Sequence, residues 1–307
     1  MSARGRSWAG AGRTRAPSPP TQPLETFPAD VIIPTAMEAT LLMDGDNCDC
    51  WFRDTGAGNI HYGQATDMYF KTWPRQQVLT GELPTVRKVG DYYYLLKSGL
   101  YLYWSSDKIN WTICNGGEKV LAPSETASDW WNTLFNPTFE VVDGTWHLVV
   151  EGKADGEQFA VGYSSAISTG TPPDISIDWN PNLSALPIIP CAGNGDLHFI
   201  PDRAAFLLIY GDILNGLKWQ IHTRTALLSD DLSLAASWKD DGFSIAKPGI
   251  HLADPSLVFV GGGKHPFKNM LIYNHDQLDG KVAYGQAGPN EFYDLVTSGQ
   301  TFAYVGP

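Results

Sequence analysis

Apolar positions along this chain fall into short runs broken by Gly, Asp, Asn and Pro, and the runs repeat in a fixed order. EATLLMDG (38–45), LPTVRKVG (83–90), NPTFEVVDG (136–144), GDLHFIPD (195–202) and ADPSLVFVG (253–261) each join a small or acidic start to a β-branched stretch and a turn. An aromatic-rich run follows each: CWFRD (50–54), YYYLLK (92–97), TWHLVVEG (145–152), AFLLIYGD (205–212) and NMLIYNHD (269–276). A third run comes next, HYGQATD (61–67), LYLYWSSD (100–107), FAVGYSSA (159–166), WQIHTRTALLSD (219–230) and KVAYGQA (281–287). An aromatic segment closes the unit, in FKTW (70–73), INW (109–111), IDW (177–179), SW (237–238) and EFYDLV (291–296). Short apolar runs bounded by turn formers are antiparallel strand signals.

Four such strands, written five times, predict an all-β chain folded as a five-bladed β-propeller with four-stranded antiparallel blades. Stacking blades around a ring hides the sheet edges that a lone four-stranded sheet would expose. A β-sandwich also strings short strands together, but it does not call for matched third strands such as YWSSD, GYSSA and AYGQA. Residues 28–307 are expected to form the propeller.

Composition agrees with strands and turns: 31 Gly, 21 Pro and 12% aromatic residues. A net charge of −12 argues against nucleic acid as a partner, because phosphate neutralisation needs a basic face. Neutral carbohydrate, an oligo- or polysaccharide, suits the charge better. No stretch reaches the ~18 apolar residues of a membrane helix. Cys48, Cys50, Cys114 and Cys191 have no metal-finger spacing and read as free thiols. Residues 1–27 are expected to be a disordered tail, Arg-rich at the start and without the apolar segment of a secretory signal. The chain reads as soluble, and no compartment is assigned.

In a propeller the starts of the innermost strands converge on one axial funnel. By repeat alignment those positions are Glu38, Glu82 or Leu83, Asn136, Asp196 and Asp254, and second strands return Arg53, Lys97, Glu151, Asp212 and His275 to the same end. Glycoside hydrolysis needs two carboxyl groups, one protonated and one ionised. Acids crowded in a funnel repel, which raises one pKa and makes a neutral acid available. Each of these Asp and Glu residues taken singly is equally at home capping a turn. Trp130 and Trp131, in a loop before the third inner strand, are candidate sugar platforms. His198 and His275 are candidate sugar contacts, although His198 alternates with Leu197 and Phe199 as a core residue would. No organic cofactor or metal spacing is present, and a channel cation such as calcium is compatible with a ring of acids.

Three local signatures carry a resemblance: Asp254-Pro255 opening an inner strand, YYYL at 92–95, and above all E-L-P-x-x-x-K-x-G-x-Y-Y-Y-L from Glu82 to Leu95. Over about residues 28–300 the chain resembles the five-bladed propellers of the glycoside hydrolase family 43 type, a clan of arabinofuranosidases, xylosidases and related furanosidases. The resemblance implies hydrolysis of terminal furanosides or similar sugars, with Glu82 in the family's general-acid segment. In that family the base Asp, a tuning Asp and the acid Glu come from successive positions starting at the first blade. Here the clear Asp-Pro opens the fifth. Because a propeller is a ring, Asp254, Glu38 and Glu82 reproduce the order base, tuner, acid across blades five, one and two. The competing catalytic pair is Asp196 and Glu151. A non-catalytic glycan-binding propeller, or a structural one, is the alternative to the enzyme.

Overall fold

A computed structural model describes residues 36–54, 58–65, 74–212, 220–245, 252–259, 269–275 and 278–285. The expected tail, the FKTW segment at 70–73 and the expected last strand at 291–296 lie outside the described residues. The first sheet holds β1 (Ala36–Asp44), β2 (Asn47–Asp54), β3 (Asn59–Gln64) and β4 (Arg75–Thr80). The second holds β5 (Thr85–Val89), β6 (Tyr92–Lys97), β7 (Tyr101–Ser105) and β8 (Thr112–Ile113). The third holds β9 (Thr133–Val142), β10 (Thr145–Lys153) and β11 (Ala160–Ile167), carries a side hairpin of β12 (Thr169–Thr171) and β13 (Asp174–Ser176), and closes with β14 (Ile189–Pro190). The fourth holds β15 (Ala192–Ile200), β16 (Ala205–Asp212), β17 (Gln220–Leu227) and β18 (Lys239–Ile245). The fifth has three strands among the described residues, β19 (Leu252–Phe259), β20 (Asn269–His275) and β21 (Leu278–Gly285).

Every pairing within a blade is antiparallel, and the innermost strands β1, β5, β9, β15 and β19 pack side by side, with β19 returning to β1. This is the five-bladed propeller. Each blade is a slab between two neighbours, which explains why the second strands are apolar runs rather than alternating ones. Along β10, Trp146, Leu148 and Val150 face the second blade, while Val149 faces the fourth. All eight residues of β16 are buried.

The outer strands sit later in the sequence than the closing aromatic segments suggest. In the second blade β8 is Thr112–Ile113, just after the expected INW; in the third it is β14, well after IDW; in the fourth, β18 starts one residue past SW. The aromatics mark a wedge instead. Trp179 and Trp238 are fully or nearly fully buried, with indole N–H groups donated to Trp146 O and Leu232 O. β4 and β8 are themselves largely exposed and carry little apolar signal to read.

Near the axis the blades are joined by a buried polar hub. Arg87 of β5 reaches across to the fourth blade, donating through Nη2 to Asp196 Oδ1 at 2.7 Å and to Leu197 O at 2.7 Å, and its Nε meets Glu140 of β9 at 3.3 Å. Asp196 Oδ2 accepts the Leu257 N–H of β19 at 2.8 Å and lies 2.9 Å from His198 Nε2. Burial works to raise the Asp196 pKa, but His198 and Arg87 overrule it and hold the carboxyl well below the usual range. Four blades therefore meet on one ion pair. The first blade joins through Ser256 Oγ, which accepts the Leu41 N–H at 3.1 Å.

Replacing Arg87 by Leu strands a buried carboxylate and should cost about 3–5 kcal/mol of unfolding free energy in a chemical denaturation series. Lys88→Ala breaks an exposed pair with Asp44 and should cost no more than about 1 kcal/mol. Since the folded pKa of Asp196 is depressed, its contribution is present above about pH 4 and lost as pH falls. The Arg87→Leu deficit should therefore shrink in acid; equal deficits for the two variants would remove the hub from this account.

Candidate functional site

All five inner strands begin the same way. Glu38, Leu83, Asn136, Asn194 and Asp254 have φ of 53°, 52°, 34°, 53° and 48°, the left-handed region that side chains other than Gly, Asn and Asp seldom occupy. Register shifts flank these residues in β1, β9, β15 and β19. A bulge of this kind re-aims a side chain, and here it turns one residue per blade toward the axis. Next come Ala39, Pro84, Pro137, Gly195 and Pro255, then Thr40, Thr85, Asp196 and Ser256 in four of the blades, and these three layers line an axial pit.

The pit is small, about 40 Å³, room for a few waters. A sugar would have to sit above it, against the ring of left-handed residues.

The register decides one equivalence that the repeat left open and corrects another. Leu83, not Glu82, is the ring residue of the second blade, and Asn194, not Asp196, is that of the fourth. Asp196 stands two layers deeper, where the other blades have Thr or Ser, and serves the hub with both oxygens. His198 goes with it, buried against Asp196 and edge-on to Phe259.

Two groups hold the rim. On the first blade, Arg53 Nη1 lies 2.8 Å from Glu38 Oε1 and 3.0 Å from Glu82 Oε2, while Glu38 Oε2 accepts the Leu83 N–H at 3.1 Å. Burial raises the Glu38 pKa against the opposing pull of Arg53. Burial also acts to loosen the Arg53 proton, but Glu38, Glu82 and Asp254 outweigh it. On the third blade, Glu151 is 4% exposed, and its Oε2 accepts the Asn136 side-chain amide at 2.7 Å and the Asn194 N–H at 2.7 Å. The Asn136 amide also contacts Asn194 Oδ1. Burial, reinforced by the negative charge of Asp254, pushes the Glu151 carboxyl up to about 8 despite the Asn194 amide. Glu38 with Arg53 and Asn136 with Glu151 have the same spacing, a left-handed residue and its partner fifteen positions on in the adjacent strand.

Asp254 links the two groups, since its charge acts on both Arg53 and Glu151. The structure thus brings Glu38, Glu82, Arg53, Asn136, Glu151 and Asp254 to one end of the axis. Trp130 and Trp131 are elsewhere. The Trp130 ring lies on the bare backbone of Gly152 and Gly162, donates its N–H to Ser184 O at 3.1 Å, and meets Trp131 edge-on. The two glycines, each mid-strand, were the sequence signal for that seat. His275 ends β20 opposite Leu252; its side chain lies outside the described residues. Among the described residues no group of three or more His, Cys, Asp or Glu side chains is placed to hold a metal ion. All four cysteines are free thiols, and no helix is long and apolar enough to cross a membrane among the described residues.

No family model and no curated relative matches the chain. Solved structures do. An α-L-arabinofuranosidase from Lactobacillus brevis superposes with a TM-score of 0.62 at 9% identity, over 85% of this chain and 93% of that one. A thermostable family-43 glycoside hydrolase gives 0.58 at 9% identity, over 82% and 89%. A GH32 β-fructofuranosidase from Bombyx mori gives 0.54 at 14%, over 85% and 61%. At such identities the likeness is one of architecture: this chain shares the β-propeller fold of these glycoside hydrolases.

Proposed function

We propose that this propeller is a glycoside hydrolase that cleaves terminal furanosides or similar sugars above the axial pit, with Asp254 as the ionised carboxylate and Glu151 as the proton donor. One observation carries the reading. A carboxyl group that keeps its proton to about pH 8 shares the pit mouth with an aspartate whose charge helps keep it there. Two carboxyls pushed to opposite protonation states are the requirement of acid/base glycoside cleavage. Arabinofuranosidase, arabinanase and fructofuranosidase activities among the proteins of the same fold support a furanoside as the substrate class.

In this scheme Glu151 protonates the departing alcohol, and Asp254 activates water or attacks the anomeric carbon. Glu82, in the segment that resembles the family's acid, is held by Arg53 at 3.0 Å, so the donor role falls to Glu151. Glu38 and Arg53 then act as an ionic clamp at the rim that orients sugar hydroxyls. Asn136 and the Asn194 N–H hold one Glu151 oxygen, leaving the other to carry the proton.

The narrow pit and the neutralisation of Glu38 and Glu82 by Arg53 favour a second reading, a propeller that binds glycans without cleaving them. A panel of nitrophenyl arabinofuranoside, xyloside and galactoside separates the two; turnover of the furanoside is expected, and oligosaccharide binding without any turnover would support the second reading.

On the substrate so identified, Asp254→Asn should lower kcat/KM by about 10²–10⁴. Retention of activity by that variant would dismiss Asp254. Glu82→Gln should mainly raise KM.

Glu151 predicts a pH signature. Activity should fall as pH rises through about 8, and Glu151→Gln should abolish that limb while sparing activated aryl substrates most. Its raised folded pKa also means that folding stability declines between about pH 4.3, the unfolded value, and pH 8. The Gln variant should lack this decline in thermal unfolding, and an unchanged pH–stability curve would contradict a buried, protonated Glu151.

A further inference from the structure

A second cavity lies away from the pit, between the third and fourth blades. It measures about 540 Å³, within the range of small-ligand sites. Strand direction places it at the other end of the molecule's axis. β10 carries Glu151 near its pit end and His147 four residues earlier, ~13 Å away at the rise of a strand, and the remaining walls are the loops 182–185 and 228–233.

The floor is polar and fixed. His147 is 5% exposed, and its Nδ1 lies 2.7 Å from the Tyr163 hydroxyl, which is also hydrogen-bonded to Ser165. Burial pushes the His147 pKa down to about 4, so at neutral pH the ring offers one donor and one acceptor. Asn182 donates to Ser165 O at 2.7 Å on one wall; on the other, Asp231 Oδ1 accepts the Ser233 hydroxyl at 2.6 Å. Asp231 lies close enough to act on the Tyr163 pKa. Among the described residues no Lys or Arg lines the cavity, which disfavours phosphates and other anions.

The residues next along the chain have the opposite character. Ile167, Leu186, Leu227 and Leu234 are 74%, 76%, 42% and 53% exposed, four of the five exposed large apolar side chains among the described residues, and each follows or precedes a cavity residue by one or two positions. Exposed apolar groups this near in sequence to the cavity walls offer an apolar surface for a bound ligand. A ligand with hydrogen-bonding edges and an apolar face, and without negative charge, matches both parts.

We infer that this inter-blade cavity is a second saccharide-binding site, remote from the pit, which holds a neutral glycan chain. The choice of a saccharide rests on the glycosidase reading of the pit; the cavity itself does not. With such a site, a polymer engaged at one end of the propeller is kept near the cleft at the other, raising its local concentration without new catalytic groups.

The test is calorimetric titration of short arabino- and xylo-oligosaccharides into the full chain, into Asp231→Ala and Asn182→Ala, and into Asp254→Asn, with thermal unfolding as a folding control. Both cavity side chains are exposed, so Asn182→Ala serves if Asp231→Ala perturbs its loop. The expected result is at least a tenfold loss of one class of binding in each cavity variant, with turnover of a nitrophenyl furanoside unchanged. That class should survive in Asp254→Asn. Cavity variants that bind like the parent, alongside normal turnover, overturn the cavity and leave the pit reading standing. Cavity-dependent binding with no glycoside cleaved supports the cavity and overturns the pit. Neither binding nor turnover overturns both.

Discussion

The pairing of Arg87 with Asp196 is the interaction on which the rest of this molecule depends. A ring of blades has to be held at its centre, where the strands converge and space is least. Here a guanidinium from the second blade meets a carboxylate from the fourth, while Glu140 of the third and the Leu257 amide of the fifth complete the set. Burying these charges is costly, and the pair offsets that cost only because each partner is saturated with further hydrogen bonds. Hydrophobic packing between blades is stronger in sum but non-directional. The hub adds registration, because a blade that slid along the axis would leave a buried charge without its partner.

Chemistry at the pit follows from this division of labour. The hub absorbs Asp196 and His198, so the residues of the ring above are free to be tuned differently. Left-handed backbone at the head of each strand turns Glu38, Asn136, Asn194 and Asp254 toward one another, at a local cost of about 1–3 kcal/mol each. That strain persists because the strands below it are locked. Arg53 then neutralises the first-blade side of the mouth, and amides rather than cations surround Glu151 on the third. One rim therefore ties its carboxyls to a cation, while the other holds a buried, protonated one among amides.

Much of the fold was legible in the residues. The repeated order of turn, β-branched run and aromatic run marked the inner three strands of each blade, because the second strands are buried on both faces and their neighbours on at least one. The outer strands were not legible, since exposed strands such as Arg75–Thr80 and Thr112–Ile113 carry no such constraint. Site residues were legible as a set and less so in register. Asn194-Gly195-Asp196 offered two polar starts to the fourth blade, and the more acidic one drew attention although backbone geometry gives the ring position to Asn194. Glu151 was legible only as a rim residue in the competing catalytic pair with Asp196. Its character comes from burial and from Asp254, a hundred residues away in sequence and adjacent only once the ring closes.

The central claim is that Glu151 keeps its proton at neutral pH because it is buried beside the charge of Asp254. Carbon-detected NMR titration of the Glu151 side-chain carboxyl, in the parent chain and in Asp254→Asn, measures this directly. The account predicts a midpoint of about 8 in the parent and a lower one in the variant, where the like charge is gone. A Glu151 that titrates near the ordinary ~4.3 of a glutamate, or whose midpoint does not move when Asp254 is neutralised, would contradict it.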